Sequence, residues 1–277
     1  MKILYSIEEC INWRKSTHGS VGFVPTMGAL HQGHLSLVKI AKKNCDYTIV
    51  SIFINPTQFS EGEDLSSYPS MLDKDIEILK EELIDAVFIP SENEIYNKKS
   101  DDYFYETPLS NKLEGIARPH FFKGVTMVVY KLFNIVSPTH VVFGEKDAQQ
   151  LIIIKKMIKH NKSSITLISG KTIRNKHGLA HSSRNAYLSA KEQKEASKIF
   201  QSLMLIKKLL DGGEQNSRLL KNEFVKSIKS IAAFKLDYIS IADIETLDES
   251  SKVQKKKTLV STAVFFKEVR LIDNFIY

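Results

Sequence analysis

The run Tyr47-Thr-Ile-Val-Ser-Ile-Phe-Ile-Asn55 is apolar or β-branched at almost every position. A strand with one wet face alternates apolar and polar residues. A run that does not alternate needs cover on both sides, and that need selects a parallel sheet with helices above and below it. Other segments agree. Val21–Val24, Asp85–Pro90 and His140–Gly144 read as further buried strands. A short helix over about Ile7 to Lys15 precedes the first of them. Pro25 and Gly28 break that first strand, and from His34 onward Leu35, Val38 and Ala41 recur at helical spacing. Asp73–Ile84, Gly124–Val136 and the segment from Asp147 to about His160 also read as helices. Glu61–Ser70 and Asn93–Pro108 read as polar loops. Either Ile165–Ile168 or Lys171–Arg174 closes the sheet. Strands alternating with helices predict an α/β, doubly wound parallel sheet.

The pattern changes near residue 176. Two long helices, Ser189–Leu210 and Glu214–Ile231, flank Asp211-Gly212-Gly213, and strands follow at Tyr238–Ile244 and Thr258–Ile276. Helices followed by strands predict a smaller α+β domain with an antiparallel sheet. The expected division is 1–175 and 176–277, which suits a chain of 277 residues.

A formal net charge of +7 suits an anionic partner, either a nucleic acid or a small substrate such as a nucleotide. The basic residues are spread out, and the one tight run, Lys255–Lys257, reads as a solvated loop. No basic helix or aromatic-interleaved patch supports a nucleic-acid-binding module. Cys10 and Cys45 form no metal or redox motif. Glu8 and Glu9 come too early for a secretory signal, and no apolar run approaches the roughly 20 residues of a membrane span. A cytoplasmic protein is expected, with no membrane partner.

Four loops carry the chemistry. Met27-Gly-Ala-Leu-His31-Gln-Gly33-His34 is a glycine-bearing turn leading into a helix, and a helix N-terminus suits a phosphate. Gly33 would let a ligand approach the backbone. Asn55-Pro-Thr-Gln58 puts polar groups at a strand's carboxyl end, where open α/β sheets bind ligands. Gly144-Glu145-Lys146-Asp147 offers a lysine as a point charge for a phosphate. Asp147 could hold Mg²⁺ indirectly or cap the next helix. His181-Ser182-Ser183-Arg184 offers two hydroxyls and a guanidinium fork. Gln58 and Gln150 could bind the hydroxyl or carboxylate of a polar substrate. The usual glycine-rich NTPase, dinucleotide and hydrolase signatures are absent. Cationic and polar groups without a covalent nucleophile suit in-line attack on a nucleotide phosphorus, which runs on positioning and charge stabilisation.

Taken together, these stretches resemble the pantothenate synthetase (pantoate–β-alanine ligase) family. The resemblance rests on Val24-Pro-Thr-Met-Gly-Ala-Leu-His-Gln-Gly-His34, Ser51-Ile-Phe-Ile-Asn-Pro-Thr-Gln-Phe59, Asp64-Leu-Ser-Ser-Tyr-Pro69 and Leu113-Glu-Gly-Ile-Ala-Arg-Pro119. It continues through Lys131-Leu-Phe-Asn134, Phe143-Gly-Glu-Lys-Asp-Ala-Gln-Gln150, Gly178-Leu-Ala-His-Ser-Ser-Arg-Asn185 and Arg270-Leu-Ile-Asp-Asn274. The stretches occur in the family's order and span nearly the whole chain.

The resemblance implies a Rossmann-like domain, a C-terminal lid and a homodimer. It implies that ATP activates pantoate as pantoyl adenylate with loss of pyrophosphate, after which β-alanine displaces AMP. Met27, Gly28, Ala29, Leu30, His31, Gln32, Gly33 and His34 would line the ATP site, with His34 stabilising charge or donating a proton. Gly144 to Asp147, the backbone at Ile173, and His181 to Arg184 would also bind ATP. Among these, His31, His34, Lys146, Ser182, Ser183 and Arg184 are the catalytic candidates, and Mg²⁺ would bridge the phosphates without a dedicated protein ligand. Gln58 and Gln150 would hold pantoate, with Gln58 beside β-alanine and Asn55 in the same group.

Four places depart from the family pattern. Arg118-Pro119-His120-Phe121-Phe122 stands where the family has Arg-Pro-Gly-His-Phe, and the sequence leaves open whether His120 replaces the histidine. Ser70 replaces an arginine, His177 an aspartate and His181 an apolar residue. An alternative of the same superfamily, adenylylation of a phosphate acceptor, would not need Gln58 and Gln150. It would yield a dinucleotide rather than free AMP.

Overall fold

The computed structural model describes residues 1–59, 62–63, 65–96, 105 and 107–277. Residues 60, 61, 64, 97–104 and 106 lie outside the described residues, and most of them fall in the two stretches read as polar loops. Among the described residues, six strands form one sheet: β1 (Lys2–Leu4), β2 (Val21–Thr26), β3 (Tyr47–Ile52), β4 (Ala86–Phe88), β5 (His140–Gly144) and β6 (Thr166–Gly170). Their spatial order is β1-β4-β3-β2-β5-β6, and every pairing is parallel. The helices are α1 (Ile7–Ser16), α2 (Gln32–Asn44), α3 (Leu72–Glu81), α4 (Glu92–Ile95), α5 (Glu114–Ala117), α6 (Phe121–Val136), α7 (Ala148–His160), α8 (Ala190–Ala196), α9 (Lys198–Asp211) and α10 (Ser217–Lys229).

Both faces of the parallel sheet are covered, as the apolar strands require. Phe23, Ile49, Phe88 and Phe143 pack with α1, α6 and α7. Their chain neighbours Val24, Val50, Val87 and Val142 pack on the opposite face with α2 and α3. This alternation is the two-residue period of a strand. In the C-terminal region β7 (Phe234–Asp243), β8 (Thr258–Phe266) and β9 (Val269–Ile276) form an antiparallel sheet. It buries Val260 and Val264 against Ile199 and Leu203 of α9 and Phe224 of α10. No helix among the described residues is long and apolar enough to cross a membrane.

Several elements differ from the sequence expectation, each for a physical reason. β1 carries three residues, too few to show a period, and it pairs only with β4. β2 continues through Pro25, which pairs with Ser51 of β3. Toward β5 the ladder is registered only at Gly22 and Phe23, so the proline falls beyond it and disrupts nothing there. The expected helix Ser189–Leu210 is two helices. At their junction Ser197 Oγ donates to the carbonyl of Lys194, a local bond that competes with the helical ladder. Of the two candidates for the closing strand, the first overlaps β6. Arg174 makes only an isolated bridge to Ala180.

His120 explains one departure from the family pattern. It caps α6 with φ 69° and ψ −8°, the left-handed region, and its side chain makes no capping bond. The family's glycine adopts that conformation freely; a side chain there costs about 1–2 kcal/mol. His120→Gly is therefore expected to raise the unfolding free energy by about 1 kcal/mol. Urea titration measures this, and an unchanged or lowered midpoint would refute the assignment of strain.

Candidate active site

β2 and β5 are neighbours, yet the chain leaves them toward opposite edges of the sheet. Such a reversal opens a crevice at the strands' carboxyl ends, walled by the loops that follow. A cleft of about 1120 Å³ lies there.

After β2 the chain turns through Gly28 and Ala29, with φ of 80° and 49°. The Ala29 and Leu30 amides donate to the Asp75 carboxylate on α3, at 2.8 Å each. Burial raises the Asp75 carboxyl above its ordinary pKa against the pull of those amides. Gly28 and Ala29 line a separate cavity of about 240 Å³ beside Asp75, not the large cleft. Leu30 and Gln32 also lie outside the cleft wall, whereas Met27, His31, Gly33 and His34 form part of it.

His31 is the N-cap of α2, and its Nδ1 accepts the Gly33 N–H at 3.1 Å. That bond leaves Nε2 to carry the proton of the neutral ring. The His34 ring stacks on His31 with centroids 4.0 Å apart, and the His181 ring follows at 6.1 Å. A Cβ on Gly33 would come within 2.8 Å of His31 Cε1. The glycine thus makes room for an imidazole of the same chain, and it also lines the cleft.

These imidazoles are held neutral. Burial, then His34, Lys146 and His181 nearby, push His31 down to about 2. Burial and Lys146 push His34 down to about 4. Burial lowers His181 as well. Nδ1 of His34 is buried without a partner among the described residues, which leaves Nε2 as the nitrogen to offer a ligand.

The opposite wall follows β5. Gly144, Lys146 and Asp147 line the cleft, while Glu145 turns aside to accept Ser169 Oγ at 3.1 Å. Asp147 precedes α7 but makes no capping hydrogen bond; its carboxylate lies 3.7 Å from Lys146 Nζ. The third wall contains Ile173 and His181 to Arg184. The His181 amide donates to the Ile173 carbonyl at 2.9 Å. Ser182 Oγ accepts the Arg184 amide, and Ser183 Oγ donates to the Ala29 carbonyl, both at 3.3 Å. The last bond ties this loop to the one after β2.

Gln58, Gln150 and Asn55 also line the cleft. Asn55 is 1% exposed, and its amide is engaged within the fold: it donates to Gln58 Oε1 at 3.0 Å and accepts the Tyr96 hydroxyl at 2.5 Å. Sequence reasoning missed other members of the wall. Arg118 forks onto Glu63 at 2.7 and 2.6 Å and lies 3.9 Å over the Phe121 ring. Phe121 lines the cleft, while His120 is exposed and lies outside its wall. Asn274 of β9 is another member. Both Arg118 and Asn274 fall in stretches quoted for the resemblance, which was the available signal.

A family model described as Pantoate-beta-alanine ligase matches residues 2–276. The pantothenate synthetase of Thermosipho africanus is 43% identical over 100% of both chains. That of Fervidobacterium nodosum is 44% identical over 97% of this chain and 94% of its own. The crystal structure of pantothenate synthetase from Thermus thermophilus superposes with a TM-score of 0.93 at 35% identity, covering 99% of each chain. The pantoate-beta-alanine ligase from Francisella tularensis, complexed with beta-gamma ATP and beta-alanine, gives a TM-score of 0.81 at 36% identity. That match covers 100% of this chain and 97% of the other.

The depressed imidazoles have a measurable consequence. Unfolding returns His34 from about 4 to its ordinary 6.5, so the unfolded chain binds more protons between those values. Stability present at pH 7 is therefore lost progressively as the pH falls from 6.5 toward 4. Imidazole nitrogen shifts in the ligand-free protein are expected to report His34 neutral at pH 6; a charged ring at that pH would overturn the assignment.

Proposed function

This chain belongs to the pantoate–β-alanine ligase family, and on that premise we propose how its cleft carries out the ATP-dependent ligation of pantoate and β-alanine. One observation carries the reading. Two neutral imidazoles after β2, Lys146 after β5 and the Ser182–Arg184 loop converge on one cleft that also exposes Gln58 and Gln150.

A carboxylate is a poor electrophile, so the acid must first be activated. A pantoate carboxylate oxygen attacks the α-phosphorus of ATP in line; the bond from that phosphorus to the bridging oxygen breaks, and pyrophosphate leaves. Negative charge moves toward the leaving phosphates during this step. Lys146 and Arg184 offset it as fixed cations, and the neutral rings of His31 and His34 offer N–H donors. Ser182 and Ser183 add hydroxyls at the same wall. Gln58 and Gln150 orient pantoate, and Asn55 holds Gln58 in place. Met27, Gly33, Gly144, Asp147, Ile173 and His181 complete the nucleotide's surroundings. Gly28, Ala29, Leu30, Gln32 and Glu145 support these walls from behind. The β-alanine amine then attacks the acyl carbon, the bond to the phosphate oxygen breaks, and AMP departs.

Asp147, a carboxylate on the cleft wall beside Lys146, would hold Mg²⁺ through its water shell, and the ion would supply further positive charge to offset that of the phosphates. Residues 1–175 bind ATP and pantoate, and residues 176–277 serve as the lid that shields the adenylate from water. A cytoplasmic homodimer completes the reading and fits a biosynthetic enzyme of this family.

Pantoate-dependent exchange of labelled pyrophosphate into ATP tests the first step. Exchange is expected with the native chain, and His34→Ala or Lys146→Ala is expected to lower its rate by roughly 10²-fold or more. Variants within a few-fold of the native rate would remove those roles, and absence of exchange from folded protein would remove the adenylate.

A further inference from the structure

The turn that carries Lys146 is held by the last strand of the chain. Nδ2 of Asn274, on β9, donates to the carbonyl of Glu145 at 3.1 Å and to that of Lys146 at 2.7 Å. One nitrogen with two protons thus meets two successive carbonyls, a match that an amide provides and a carboxylate of the same shape does not. Its neighbour Asp273, 4% exposed, takes the Arg174 guanidinium in a fork at 2.6 and 2.8 Å. Arg174 in turn donates to the Gly178 carbonyl at 3.1 Å. Successive residues on a strand face opposite ways, so the pair reaches two loops at once. One is the Lys146 turn; the other runs into Ser182–Arg184.

This arrangement matters because of what lysine is. Its ammonium sits on a flexible four-carbon stem and is aimed largely by the backbone that carries it. The Lys146 side chain is 20% exposed, and the Asp147 carboxylate lies 3.7 Å from its nitrogen. Fixing the carbonyls on either side of the Glu145–Lys146 junction fixes where the stem begins.

We propose that Asn274 is a positioning residue for adenylation: it holds the Lys146 turn so that the ammonium faces the nucleotide phosphates. This rests on the phosphate-facing role given to Lys146. It also gives the C-terminal sheet a part in the first chemical step beyond covering the cleft.

A double-mutant cycle in the full-length chain tests this, with pyrophosphate exchange at saturating ATP and pantoate as the readout. Asn274→Asp keeps the shape and removes both donors. It is expected to slow exchange by about tenfold or more, as a misplacement near 1 Å can. The thermal midpoint and the KM for β-alanine should stay close to native. In a Lys146→Ala background the same change should cost less than about twofold, because residues acting as one unit do not add. Should Asn274→Asp melt early, Asn274→Ala removes the donors without adding charge and is read in the same cycle. A full tenfold loss in the Lys146→Ala background would show that Asn274 acts independently of Lys146 and overturn the proposal. Native exchange by Asn274→Asp would do the same. Native exchange by Lys146→Ala would remove the role of Lys146 first, and the proposal with it.

Discussion

A parallel sheet that must bury both faces leaves few places for polar chemistry, and that constraint shapes the rest of this protein. Helices cover the faces, so a ligand can approach only at the strand ends. The reversal between β2 and β5 makes one end different from all others. Two neighbouring strands lose their ladder after Phe23, and the loops that follow them diverge. The crevice is a gap in the covering layer, so the residues placed there can be chosen for chemistry instead of packing.

The electrostatics follow first from burial, which disfavours a charged imidazole, and then from the nearby Lys146. Lys146 and Arg184 bring positive charge to a cleft that also contains His31, His34 and His181. Adding charged imidazoles would set like charges against each other in a partly dry place, and burial already disfavours the charged ring. The rings respond by giving up their protons. On the proposed reading, a triphosphate entering this cleft would meet cations and N–H donors already in position. Hydrogen bonds between loops hold this geometry before any ligand arrives: Ser183 to Ala29 between two walls, and Asn274 to the Lys146 turn from a third element.

Much of this was legible in the residues. The non-alternating run at Tyr47–Asn55 demands a doubly covered parallel strand, and the chain has one there. Three of the four polar loops were identifiable because each interrupts an apolar pattern at a strand's end, and His181–Arg184 because it opens the second region. What stayed hidden depends on contacts distant in sequence. That Gly33 also makes room for the His31 ring shows only in the folded contacts. That the Ala29 and Leu30 amides are taken by Asp75, on a later helix, shows only in the folded contacts. Asn274 lies more than a hundred residues from Lys146, so no local pattern could pair them. Element ends were lost for a different reason: β1 is too short to show periodicity, and the break at Ser197 rests on one hydroxyl bond.

The central claim is that loops from separate strand ends hold one triphosphate beside a small hydroxy acid in the β2–β5 crevice. A crystal structure of the chain with a non-hydrolysable ATP analogue, Mg²⁺ and pantoate tests it most directly. The phosphates are expected within hydrogen-bonding reach of Lys146 Nζ and His34 Nε2, with the pantoate carboxylate beside Gln58 and Gln150. Nucleotide bound outside the crevice, or phosphates turned away from Lys146 and both imidazoles, would contradict it.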